Sequence, residues 1–112
     1  MLTKAEFRKQ WQHIPDLPMW RNKLNGVVIS VAGSRDLGYY VVKKSSPMPR
    51  VGGMGAISTE DISPYFVLPT KPVGYEGTLL NQEMKENENW RPGTFRSALF
   101  VAMKYMRNEK WR

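Results

Sequence analysis

A chain of 112 residues with 41% hydrophobic and 24% charged side chains, among them four Trp, five Tyr and four Phe, carries enough bulky apolar material for one core and one domain, which excludes a disordered chain or two cores. The lack of cysteine removes disulfide frameworks, thiolate nucleophiles, zinc ribbons and iron–sulfur ligation. Seventeen Lys and Arg against ten Asp and Glu give a net charge of +7, which favours polyanionic partners.

Thr3 and Glu6 match a capping box, and Phe7, Trp11 and Ile14 recur at helical spacing, predicting a helix from about Lys4 to His13 that ends near Pro15. Asp16 precedes a second short helical candidate, with Pro18 in its first turn, Leu17, Trp20 and Leu24 on one face and Gly26 as its stop. Val27 to Ala32 and Tyr39 to Lys43 are rich in β-branched and aromatic residues around a Gly33–Gly38 turn, which predicts a hairpin at about 27–44. From 45 to 56, Pro47, Pro49, Gly52, Gly53 and Gly55 predict a surface loop.

Tyr65 to Leu68, bounded by Pro64 and Pro69, reads as a third, edge strand at about 65–68, and Pro72 to Gly77 as a turn. Thr78 can cap a helix to about Glu88, with Leu80 and Met84 inward and Glu83, Glu86 and Glu88 outward. Pro92, Gly93 and Thr94 start the last helix, in which Phe95, Ala98, Leu99, Ala102, Met103 and Met106 hold helical spacing over three turns. The expected fold class is therefore α+β: a small single domain whose short antiparallel sheet packs against N-terminal and C-terminal helices. No internal repeat and no family motif is visible.

Charge is distributed unevenly. Residues 1–50 hold nine basic and three acidic side chains, residues 51–90 two and six, and residues 91–112 six and one, giving balances of +6, −4 and +5. Two basic ends flank an acidic middle, and the ends either form a basic surface or fold beside the middle and offset it.

The C-terminal helix is the most informative element. A second face collects Arg96, Phe100, Lys104, Arg107 and Trp111, with Lys110 at its edge and Arg112 beyond. Cations interleaved with flat rings suit single-stranded nucleic acid, because the cations neutralise phosphates while the rings stack on unpaired bases. Two structural readings compete. Phe100, Val101 and Tyr105 make the helix apolar nearly all round, as in helices buried on two sides, and Arg107, Lys110 and Arg112 also suit the C-terminal end of the helix dipole.

Lys43 and Lys44, with Arg50 before the Val51–Gly55 run, are candidate phosphate contacts, although the spacing fits neither common phosphate-binding fingerprint. Pro47, Met48, Pro49, Arg50 and Met54 instead suit an arm docking on another protein, since Met adapts to irregular grooves and Pro reduces the ordering cost. His13 with Asp16 makes an acid–base pair in principle, but a helix-end His beside a cap Asp is ordinarily structural. Glu83, Glu86 and Glu88 lack the convergent loop ligands of a cation site.

The sequence thus points to a non-enzymatic nucleic-acid-binding accessory protein without cofactor or metal. The alternative is a protein-interaction module, such as an inhibitor of a larger enzyme or a small subunit of a virion or ribonucleoprotein assembly. With no apolar run near the roughly 18 to 20 residues of a membrane span, and a charged amphipathic stretch from Met1 to Gln10, the expected location is the cytoplasm.

Overall fold

A computed structural model describes residues 1–51, 54–68 and 89–109, with backbone alone for 48–51 and 54–57. The chain is an α+β protein in which, among the described residues, an N-terminal and a C-terminal helix accompany one mixed sheet of seven strands. The expected turn at 72–77 and helix at 78–88 lie outside the described residues.

Helix α1, Lys4–Gln10, starts as its capping box dictates: Thr3 Oγ1 accepts the Glu6 N–H at 3.1 Å, and Glu6 Oε1 accepts the Thr3 N–H at 3.3 Å. It stops at Gln10, three residues short of expectation, because Trp11–His13 becomes strand β1 and pairs antiparallel with β2, Met19–Asn22. Trp11 keeps the helical spacing from Phe7 yet is buried as a strand residue, so one apolar position serves both elements.

The second short helix is replaced by β2. Asp16 takes φ 64°, a left-handed turn position that its short polar side chain tolerates, and the Ile14 N–H donates to the Met19 carbonyl at 2.9 Å to close the β1–β2 turn. Leu17 and Leu24 are exposed while Trp20 packs on the core, so the three do not share a buried face. Buried Asn22 then organises the next turn, its Oδ1 accepting the N–H groups of Leu24 and Asn25 at 2.8 and 3.2 Å.

The expected hairpin is present as β3, Val28–Ser34, and β4, Tyr39–Val51, in register from Val28↔Ser45 to Ser34↔Tyr39. Strand β4 continues through the segment expected to be a loop, and its far half pairs with β5, Met54–Asp61. The prolines are accommodated in two ways. Strand β3 ends opposite Ser45, so one edge of β4 beyond it has no ladder among the described residues to need an N–H from Pro47. Pro49 falls where the β4–β5 register shifts between Met48 and Val51.

Strand β6, Tyr65–Val67, is not an edge strand. It lies between β4, antiparallel, and β7, Trp90–Pro92, parallel, so the sheet is mixed rather than antiparallel. The strand order is β1-β2-β3-β4-β6-β7, with β5 sharing the β6 edge of β4 further along.

Helix α2, Phe95–Met106, lies over β3, β4 and β6. Its buried stripe of Ala98, Val101, Ala102 and Met106 meets Ile29, Val31, Val42, Phe66 and Trp11. Each large side chain buried there contributes roughly 1.5–3 kcal/mol relative to exposure. Adjacent Val41 and Val42 are both fully buried, so β4 is covered on both faces at that point.

Candidate nucleic-acid interface

The buried stripe of α2 fixes which residues face away. At about 100° per residue, Arg96, Phe100 and Arg107 lie opposite Ala98 and Ala102, and Phe100 is 54% exposed. The remaining apolar residues of α2 do not all face solvent, however: Val101 is buried and Tyr105 packs against the core.

Hydrogen bonds to the C-terminal carbonyls of α2 connect it with the N-terminal part of the chain. The Leu2 N–H donates to the Arg107 carbonyl at 3.0 Å, and Trp11 Nε1 donates to the Met106 carbonyl at 3.1 Å. Both satisfy carbonyls that a helix end leaves without intrahelical partners. Between the two helices runs a groove of about 280 Å³ floored by Phe7 and Met103 and rimmed by Lys4, Arg8 and Arg107.

Among the described residues Lys4, Arg8, Arg96 and Arg107 form no ion pair. Arg96 is notable because it sits in the first turn of α2, where the helix dipole disfavours a cation. Its charge therefore has no evident stabilising role in the helix. Arg107, at the opposite end, does gain from the dipole.

Other predicted contacts are already engaged. Lys104 pairs with Glu109 at 3.0 Å and lies over the Phe100 ring, 5.4 Å from its centroid. The hydrogen bond from Lys104 holds the Glu109 carboxyl below its ordinary range. Lys43 and Lys44, as strand neighbours, point to opposite faces and are not brought together. Lys44 lies over the Tyr105 ring and approaches Glu60 at 3.8 Å, and hydrogen bonding to Tyr105, with Glu60 a smaller contributor, raises its pKa.

Lys43 is bonded to Asp61 at 2.9 Å, and Tyr65 donates to the other Asp61 oxygen at 3.1 Å. The bond to Asp61 raises the Lys43 pKa above 10.5, and burial, with Asp61 next, raises Tyr65 above 10.0. Both groups hold their protons more tightly folded than unfolded, so their stabilisation is complete below about pH 10 and is lost as the pH climbs through the raised values. Asp61→Asn is expected to lower the melting temperature at neutral pH and to make its alkaline decline shallower. The pair is partly exposed, so its contribution is under about 1 kcal/mol, and melts at neutral and alkaline pH for both proteins check the difference.

Lys110, Trp111 and Arg112 lie outside the described residues. Pro47 is exposed on β4, and Met48, Pro49, Arg50 and Met54 lie on the backbone of the β4–β5 hairpin. His13 stacks on Trp20, and its Nε2 lies 2.7 Å from the Leu17 carbonyl, so that nitrogen carries the proton. Its partners hold a turn together; Asp16 is not among them.

Sequence reasoning missed Lys4, Phe7, Arg8 and Met103 as site residues. The i, i+4 spacing of Lys4 and Arg8 was available as a signal. The chain matches no protein-family model, no curated protein and no solved structure, so geometry alone carries the functional reading. No helix among the described residues is long and apolar enough to cross a membrane.

Proposed function

We propose that the protein is a non-enzymatic, cytoplasmic nucleic-acid-binding accessory protein whose contact face is formed by α1 and the outer side of α2. The observation that carries this reading is the gathering of Lys4, Arg8 and Arg107 around an apolar groove, with Arg96 and the exposed Phe100 on the outer side of α2, none of the four cations forming an ion pair among the described residues. Arg107 also gains from the C-terminal helix dipole and lies near Glu109, but Arg96 has no such role, and none of the four is engaged among the described residues as Lys43 and Lys104 are. The +7 net charge adds long-range attraction.

Fluorescence anisotropy with labelled single-stranded and duplex oligonucleotides at about 50 and 200 mM salt tests the reading, since each neutralised phosphate steepens the salt dependence by nearly one logarithmic unit. Arg96→Glu with Arg107→Glu is expected to weaken binding to every sequence alike and to flatten the slope by about two. No binding at the lower salt would reject the reading.

A protein-interaction role has one supporting observation. Beyond Ser45, β4 and β5 continue as a two-stranded arm past the end of β3. Deleting that arm would then abolish capture of a protein partner while leaving oligonucleotide binding intact.

A further inference from the structure

Resting on the nucleic-acid reading, we propose that the groove between α1 and α2 is a single-strand site: one unpaired base lies on Phe7 and Met103, its neighbour stacks on Phe100, and the flanking phosphates meet Lys4, Arg8 and Arg107. Charge alone would serve duplex and single strand equally. The apolar surface between the charges does not, because a duplex keeps its bases inside and presents phosphates to a protein surface. Seating a duplex here would strip water from Phe7, Met103 and Phe100 without giving them a partner. An unpaired strand offers phosphates and flat apolar faces together.

The dimensions agree. The groove of about 280 Å³ lies just under the roughly 300–1,000 Å³ of pockets that enclose a whole drug-sized ligand, so it takes one flat group rather than a larger molecule. Met103 is three residues beyond Phe100, a rise of about 4.5 Å along the helix, which places the two contacts within reach of successive bases. Arg107, a further turn on, continues the line at the groove rim. Lys104 lies over the Phe100 ring and is held by Glu109, yet the side chain retains 54% exposure. That apolar area is kept in water by the fold and is available to a base.

The test compares anisotropy of an oligothymidylate, an abasic strand of equal length and charge, and a duplex, each with the wild type, Phe100→Ala and Met103→Ala. Far-UV circular dichroism confirms folding, and Phe100→Ala alters an exposed side chain, so it keeps the test valid if Met103→Ala fails to fold. The base-bearing strand is expected to bind more tightly than the abasic strand by roughly five- to 150-fold per stacked base, to exceed the duplex, and to lose most of that advantage in the variants. Equal binding of all three would overturn the single-strand site while leaving the charge-based reading intact. An advantage that survives in the folded variants would overturn its location. If nothing binds, the nucleic-acid reading itself fails and the inference with it.

Discussion

Met106→Ala is expected to lower the unfolding free energy by about 2–5 kcal/mol, toward the lower end of that range. Met106 closes α2, is 1% exposed and packs in the main core cluster. Truncation removes its contacts and leaves space that neighbours fill only in part. The cost is moderated because Met106 and Trp11 border an open cleft of about 540 Å³, toward which the surroundings can relax. The bond from Trp11 Nε1 goes to the Met106 main-chain carbonyl, so the substitution spares it. Met106→Leu, which nearly conserves volume, is expected to cost less than about 1.5 kcal/mol.

Urea unfolding followed by circular dichroism measures both. Because a domain of this size has roughly 5–15 kcal/mol in total, the alanine variant should unfold at a much lower urea midpoint with an unchanged slope. Trp11→Phe removes the indole donor and leaves the Met106 carbonyl short of a partner. Combined with Met106→Ala, it should give a non-additive loss, since the two side chains share one cluster. A strictly additive result would mean that Trp11 and Met106 do not work as a unit in joining the chain after α1 to the end of α2.

What the sequence disclosed depended on whether the controlling contact was local. The α1 start was legible because the capping box joins residues three apart. The body of α2 was legible because its apolar period persists over three turns. The β3–β4 hairpin was legible because its turn and both strands are contiguous. The end of α1, by contrast, is decided by β2, which draws Trp11–His13 into the sheet. Period 2 and period 3.6 cannot be separated over three residues. The β4–β5 arm was read as a loop because Pro and Gly forbid regular structure only where their missing donor or freedom matters, and the ends of β3 and the register shift settle that. The parallel pairing of β6 with β7 joins short segments more than twenty residues apart, and neither advertises the other.

The site divides in the same way. Helical geometry puts Arg96 and Phe100 on one face of α2, but the sequence leaves open whether that face is buried, and the structure leaves both exposed. The engagement of Lys43 by Asp61, and the seating of Lys44 over Tyr105, require knowledge of which strands and helix lie alongside β4. Lys4 and Arg8 come beside the candidate face only through the placement of α1 near the end of α2, where the Leu2 N–H and the Trp11 indole both donate to main-chain carbonyls. Charge run and spacing identify candidates; which of them are engaged within the described residues depends on three-dimensional pairing.

Gly33→Ala is expected to be the more disruptive backbone change, costing about 3 kcal/mol or more. Gly33 takes φ 106° in the last part of β3, a conformation that L side chains seldom adopt, and it is paired with Tyr40. A methyl group there would lie 2.1 Å from the Tyr39 carbonyl oxygen and 2.9 Å from the Tyr40 Cα. Both atoms belong to the main chain of the paired strand, so no rotamer change relieves the contact and the hairpin must open. That hairpin is the centre of the sheet: Ile29, Val31 and Val42 on it form the platform for α2. Gly26 provides the internal comparison. It also has positive φ, 75°, but a methyl group would meet only Pro47 Cγ at 3.4 Å, an ordinary contact. Gly26→Ala should therefore cost only the left-handed penalty of roughly 1–2 kcal/mol. Parallel denaturation of the two variants gives the order directly. Equal losses would show that backbone dihedral strain, rather than collision with β4, governs Gly33, whereas a larger loss at Gly33 locates the constraint in the close approach of the two central strands.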